Sequence, residues 1–373
     1  MKTVILIRVT PIYNDSRAMK EILSLARHGY HVIVLGWDRN GQGLEQCKKI
    51  FDKNIEFYFY STLLKNIGFK HIDKLLKWFM WVNQRLNELT CYPGKYVIHA
   101  CDLDAGIPVY WFLKQHGRES IKLVYDIFDY YVDSHHIPAL FKKYVENMEI
   151  SVINNSDLTI ICNEARKKQI RKSQPRRLLV IHNAPDLRNI ILPDENNRYD
   201  YAYCGSLASV RLLEETFRAY EQNQDIHMVV AGYGIYDKLA ETLAKKYPNF
   251  EYKNSLSYPD VLKTEADAKV LSAIYDPSVT NHKYAAPNKF YESLALGKPM
   301  IVCQGTGIDK IVEENGLGLV IPYDVEAFYT AIRKLLANSQ LRNEMGERAK
   351  TLFIEKYNWK KMEQILLDAY EKL

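Results

Sequence analysis

The 373-residue chain has no Cys-x-x-Cys pair; its six cysteines, Cys47, Cys91, Cys101, Cys162, Cys204 and Cys303, are scattered, several inside apolar runs. That pattern argues against a zinc ribbon or a disulfide framework and for free thiols in a reducing, cytoplasmic compartment. No stretch reaches 18 consecutive apolar residues, and the opening Met1-Lys-Thr-Val-Ile-Leu-Ile-Arg8 lacks a signal-like apolar segment. Neither a membrane span nor export by a visible signal is expected. A dominant charge is missing too: 50 Lys and Arg face 45 Asp and Glu, a formal +5. This gives no case for nucleic acid, yet suits acidic lipid or a nucleotide sugar. Repeats and low-complexity tracts are absent, and the loop Pro11-Ile-Tyr-Asn-Asp-Ser16 has none of the glycines of a dinucleotide fingerprint.

An apolar content of 47% with 25% charged residues describes a soluble globular protein, and the length suggests two domains of about 150–200 residues. Thr3–Val9 reads as a buried parallel strand, Asp15-Ser-Arg17 leads a helix with apolar Met19, Ile22, Leu23 and Ala26, and His31–Leu35 is the next strand. This is the opening of a doubly wound sheet. Arg17 either faces the ligand cleft or pairs with Asp15 at the helix start. Tyr96–Cys101 is a strand running into Asp102 and Asp104, and Leu123–Tyr125 runs into Asp126, Phe128 and Asp129. Ligands of open α/β sheets bind beyond the carboxyl ends of strands, so Asp102 and Asp104 are cleft candidates. Asp129 or Asp126 fits a general base that takes a proton from a hydroxyl, or else caps a helix. No metal site is expected.

In the segment 63–89, Leu75, Trp78, Phe79, Val82 and Leu86 form a helical apolar stripe, with Lys70, Lys74, Lys77 and Arg85 mostly off it and Trp81 on the basic side. It reads as a core-facing helix or as an interfacial helix on anionic lipid, readings compatible if the stripe is shared. In the second half, Tyr201–Cys204 delivers Gly205-Ser206-Leu207 into a helix carrying Arg211, where glycine admits a pyrophosphate and arginine supplies charge. Gly232-Tyr233-Gly234 is a turn after the next strand.

The most informative stretch is Tyr284-Ala-Ala-Pro-Asn-Lys-Phe-Tyr-Glu-Ser-Leu-Ala-Leu-Gly-Lys-Pro299, followed by Met300-Ile-Val-Cys303. Pro287 suits a first helical turn, Phe290 and Leu294 an apolar edge, and Gly297 with Pro299 a helix end before a buried strand. Asn288, Lys289 and Glu292 share one side near the N-terminus, where an anion is favoured. Lys289 can meet a phosphate, and Glu292 can accept from sugar hydroxyls; a capped helix with a surface Lys–Glu pair is the alternative.

Pro287 to Pro299 resembles the donor-site motif of GT-B glycosyltransferases, in the large bacterial group typed as family 4 or group 1. The resemblance extends along nearly the whole chain, through Gly205 to Arg211, Gly232-Tyr233-Gly234 and His182-Asn-Ala-Pro-Asp186. It implies two Rossmann-like doubly wound domains facing a cleft: an acceptor domain at 1–185, a linker at 193–198, a donor domain at 198–358, and a C-terminal helix, 359–373, crossing back to the first domain. It also implies a nucleotide diphosphate sugar as donor, a UDP sugar first, with no metal or other cofactor, and a saccharide or lipid-linked acceptor at the inner membrane face. Glu292 matches the motif's second glutamate, which binds ribose; the first falls on Tyr284. The histidine of retaining members falls on Phe128, which favours inversion with Asp129 as base. The Pro-x-Lys-x-x-Glu form is closest to surface-polysaccharide enzymes such as glucuronosyltransferases. A nucleotide-sugar 2-epimerase and a non-catalytic sugar or lipid-carrier binding subunit are the rivals on the same architecture.

Overall fold

The computed structural model describes residues 2–51, 54–62, 72–188 and 197–373. It divides into two compact units, Met1–His182 with Glu363–Leu373, and Asn183–Met362. Of the expected linker 193–198, residues 193–196 lie outside the described residues, as do residues 63–71 of the segment 63–89.

In the first unit the strands are β1 (Thr3–Arg8), β2 (His31–Asp38), β3 (Ile55–Ser61), β4 (Tyr96–Cys101), β5 (Ile121–Ile127), β6 (Leu158–Ile161) and β7 (Leu178–Val180). They form a seven-stranded sheet in the order β3-β2-β1-β4-β5-β6-β7, with every pair parallel. Helices cover both faces of such a sheet, which is why its strands are apolar throughout. The order reverses between β1 and β4. Arg8 and Asp102, at and just past the ends of these two strands, therefore sit at a topological switch point, the place where open α/β sheets bind ligands.

The second unit repeats the plan with β8 (Tyr199–Cys204), β9 (Met228–Ala231), β10 (Phe250–Lys253), β11 (Ala268–Ala273), β12 (Met300–Cys303) and β13 (Gly318–Ile321). These are parallel in the order β10-β9-β8-β11-β12-β13, with the switch point between β8 and β11. Two Rossmann-like parallel-sheet domains are thus present, as the sequence suggests.

Several local details differ from the sequence reading. Arg211 ends a single 3-10 turn, Ser209–Arg211, and the following helix starts at Leu213, because Leu212 takes a left-handed φ of 59°. The tyrosine hydroxyl of Tyr323 accepts the Leu212 N–H at 2.8 Å and holds that conformation. In the helix Ile72–Thr90, Trp78, Val82 and Leu86 are buried, and Leu75 and Phe79 pack against the same core. Trp81 is not on an open basic face: it stacks on Trp78 with centroids 5.4 Å apart.

The helix Asn288–Leu296 starts one residue after Pro287 and ends at Gly297, whose φ of 64° is the left-handed cap that the sequence calls for. Against it lies the helix Ser339–Glu355. A Cβ added at Gly346 would fall 2.3 Å from the Gly297 carbonyl oxygen. Alanine normally gains about 1 kcal/mol over glycine inside a helix. Here the obstacle is backbone, so the clash wins, and Gly346→Ala is expected to lower stability by roughly 1–3 kcal/mol. Thermal unfolding of the two proteins side by side checks this.

Candidate functional site

At the end of β1, the buried Arg8 binds Asp15 at 2.8 Å and also binds Asp102, with its guanidinium 4.1 Å over the Phe128 ring. Asp15 caps the helix Ser16–Arg27 by accepting from Ala18 N. Its ion-pair partner is therefore Arg8, not Arg17. Asp102 has φ 63° and ψ 172°, a region populated almost only by glycine and costing of order 1–3 kcal/mol. Its carboxylate offsets that cost. One oxygen accepts from Phe128 N at 2.9 Å and Asp129 N at 3.2 Å, the other from Arg8. Asp102 is thus a clamp on the loop after β5 rather than a free cleft carboxylate. Burial pushes its carboxyl up, and Arg8 only partly opposes this. Asp104 is also buried and pushed up, with His135 and the Tyr131 phenol beside it acting in the other direction.

The two base candidates part company. The Asp129 side chain is 52% exposed, and Arg166, itself buried, donates to it at 2.7 Å. Asp126 is fully buried and does not cap a helix. Arg17 grips it through two bonds of 3.1 and 2.7 Å and also donates to the Ile181 carbonyl. Arg17 therefore points inward to Asp126, and neither residue offers a group to a ligand. Burial pushes the Asp126 carboxyl up, but Arg17 and His99 outweigh it and leave it below the ordinary aspartate range.

Among the described residues, Glu21, His99 and Asp126 bring ligating atoms within 4.8 Å of one another. Such a trio could suggest a metal. The cation is already supplied: the Arg17 guanidinium, bonded to Asp126, lies 3.2 Å from Glu21. Burial first, then the Asp126 charge, pushes the Glu21 carboxyl well up. His99 Nδ1 meets the Tyr370 hydroxyl at 2.6 Å, and Ser24 donates to Glu363 at 2.6 Å. The network thereby anchors the last eleven residues to the first sheet.

In the second unit the glycines are used for backbone contact. Gly205 and Gly232 have φ of 151° and 140°. A Cβ on Gly232 would lie 1.9 Å from the Gly205 carbonyl oxygen, and one on Gly234 2.4 Å from that of Leu207. Leu207 N donates to Tyr233 O and Ile235 N to Leu207 O, zipping the loops after β8 and β9 together. Ser206 and Tyr233 are left exposed.

Lys289 reaches over this loop. A Cβ on Gly205 would meet its Nζ at 2.4 Å, and Nζ sits 4.0 Å from the Tyr203 ring centroid. Arg211 lies 3.6 Å over the Tyr275 ring, 3.4 Å from His282 Nε2. Both cations thus rest on aromatic faces. Glu292, one turn further along the helix, is buried, and its charge helps burial push the Tyr258 phenol well up. Behind it Glu265 is 2% exposed with Oε2 lacking a partner, and burial, then Glu292, pushes its carboxyl well up. Asn288 is exposed at the helix start, and Tyr284 closes the 3-10 segment Thr280–Tyr284.

The structure brings Gly205, Gly232 and Gly234 together with Lys289 over Gly205 and Glu292 on the Lys289 helix, while Tyr275 and His282 lie beside Arg211. No sequence signal marks Glu265, which reads as one more charge on an amphipathic helix. Tyr275 ends an apolar run, where an aromatic looks like core.

Two parallel-sheet domains with these loops define a GT-B fold, and comparison with solved structures agrees over the whole chain. Sucrose-phosphate synthase from Thermosynechococcus elongatus has a TM-score of 0.74 at 15% identity, covering 100% of this chain and 99% of that one. A mutant of S. aureus TarM in complex with fondaparinux, α-GlcNAc-glycerol and UDP has 0.71 at 12%, covering 99% of each. Residues 189–352 match the model of the family described as Glycosyl transferases group 1. An uncharacterized glycosyltransferase of Methanocaldococcus jannaschii is 23% identical over 184 residues, 48% of this chain and 46% of that protein. The chain thus spans about half the length of that relative.

The buried network has a testable consequence. Asp126→Asn leaves Arg17 without its charge partner and is expected to cost about 3–5 kcal/mol, whereas Glu21→Gln, which mimics the protonated acid, is expected to cost little. The signs of pH dependence are opposite. Asp126, held low, contributes stability above the ordinary aspartate range that is lost as pH falls through its lowered value. Glu21, held high, contributes stability at acid pH that is lost as pH rises towards its raised value. Urea unfolding of Glu21→Gln between about pH 5 and 7 should show a flatter pH slope than the parent.

Proposed function

We propose that this chain is a glycosyltransferase that moves a hexosyl unit from a nucleotide diphosphate sugar, a UDP sugar first, to a saccharide or lipid-linked saccharide in bacterial polysaccharide or glycoconjugate synthesis. The observation that carries the donor half is the placement of Lys289 and Arg211 on ring faces around a glycine loop. A cation on an aromatic face keeps its N–H groups available, and a diphosphate is the anion that two such cations and a helix N-terminus suit. They would stabilise the leaving diphosphate without a divalent ion. Glu292, beside the Tyr258 phenol, would accept from ribose hydroxyls. The UDP in the TarM structure favours uridine.

For the acceptor half, Asp129 is the reachable carboxylate. As base it would take the proton of the acceptor hydroxyl while that oxygen bonds the sugar carbon and the bond to the diphosphate breaks, inverting the centre. Asp102 would hold the loop and Arg166 the carboxylate. A glucuronosyltransferase-like donor preference and work at the inner membrane face belong to the same reading. No helix among the described residues is long and apolar enough to cross a membrane.

Calorimetry with UDP, GDP and ADP tests the donor half. One nucleotide should bind, with Lys289→Ala and Glu292→Ala each weakening it by roughly 10- to 100-fold, the cost of about 1.5–3 kcal/mol for a charged hydrogen bond. Binding unchanged in both variants would sink the assignment. Asp129→Asn should leave donor binding intact and cut turnover by about 100-fold or more, read from released nucleotide once an acceptor is found.

A further inference from the structure

The helix Ala139–Asn155 is anchored at its inner side. Glu149, fully buried, accepts from the Tyr125 hydroxyl and from Tyr131 N, each at 3.0 Å. The other end of the helix is treated differently. Residues 138–144 are all exposed, and the helix begins at Pro138 with no side-chain cap. Leu140 is 85% and Tyr144 65% exposed. Burying neither of them on folding leaves an apolar cost that water alone imposes.

Cations surround this end. Lys142 and Lys143 flank the apolar pair, and Lys167, Lys168, Arg171 and Lys172 are exposed on the neighbouring segment. Lys172 pairs with Glu146 at 2.7 Å, and Gln169 donates to Asp133 at 2.8 Å. The Lys172–Glu146 pair joins the second segment to the helix and engages an acidic side chain next to the patch, and the Gln169–Asp133 bond ties that segment to Tyr131–Ser134. A protruding leucine and tyrosine beside Lys142, Lys143, Lys167, Lys168 and Arg171 match the chemistry of an anionic bilayer, apolar tips entering the acyl boundary while cationic groups meet headgroups. A nucleic-acid surface would use the cations but has no place for Leu140. By contrast, the exposed Ile72, Leu76 and Met80 of the helix Ile72–Thr90 share their face with Asp73 as well as Lys77, and Arg85 of that helix is paired with Glu88.

We infer that the first domain docks on anionic lipid through residues 138–144 together with Lys167 to Lys172, and not through the helix Ile72–Thr90. This stands whether or not the chain transfers sugar.

Co-sedimentation of the full chain with phosphatidylcholine vesicles, with and without about 30% phosphatidylglycerol, tests it. The chain should bind the anionic vesicles selectively. Lys142→Gln with Lys143→Gln should weaken binding roughly 25-fold, about fivefold for each cation removed, and Leu140→Ser by about tenfold. Met80→Ser should change nothing. All three changes are at exposed positions, and an unaltered thermal transition confirms folding. No binding, equal binding to neutral vesicles, or loss with Met80→Ser alone overturns the inference. So does binding indifferent to Leu140→Ser but competed by heparin, which marks a polyanion contact.

Discussion

A charge removed from water at the carboxyl end of a parallel sheet has to find its counter-charge within a few ångströms, and both sheets are organised by that requirement. In the first, Arg17 meets Asp126 and lies beside Glu21, whose carboxyl is pushed well up by burial and by the Asp126 charge. In the second, burial and the Glu292 charge push the Glu265 carboxyl up, with Lys289 opposing them.

Backbone geometry then decides what can approach. Gly205 and Gly232 let two loops touch with no side chain between them, their N–H groups donating to the Ala231 and Lys253 carbonyls, which leaves Lys289 over the loop. Asp102 does the reverse. It accepts a glycine-like conformation because its carboxylate binds two amides and Arg8. Aspartate stores strain where glycine would store none, and in exchange fixes the loop that carries Asp129.

The two units divide the proposed chemistry between them. Among the described residues, the second has two cations, Lys289 and Arg211, resting on aromatic rings, suited to a leaving diphosphate; the first has an exposed carboxylate held by a buried arginine, suited to accepting a proton. The protruding end of the helix Ala139–Asn155 follows that carboxylate in sequence. A lipid-linked acceptor delivered at such a surface would reach the first domain without the chain crossing a bilayer.

Much of the frame is local and therefore legible from residue order: apolar strands of β1 to β13 with helices between them, Gly297 as a helix end, the apolar stripe Leu75 to Leu86, and Lys289 with Glu292 on one helix side. Periodicity and turn chemistry act over a few residues, so sequence alone determines them. Partner choice does not work that way. Asp126 and Asp129 are three residues apart and chemically identical, yet one is sealed against Arg17 and the other faces solvent, because β5 alternates its faces and ends between them. The Glu265 carboxyl is pushed up beside Glu292 only because two helices pack. Trp81 leaves its basic face for Trp78, and Arg8 takes Asp15 from Arg17. Sequence by itself determined the elements, the parallel sheets and the donor motif. Only the tertiary structure decided which charges are buried, which are paired and which remain for a ligand, since burial and pairing depend on residues that meet across the fold.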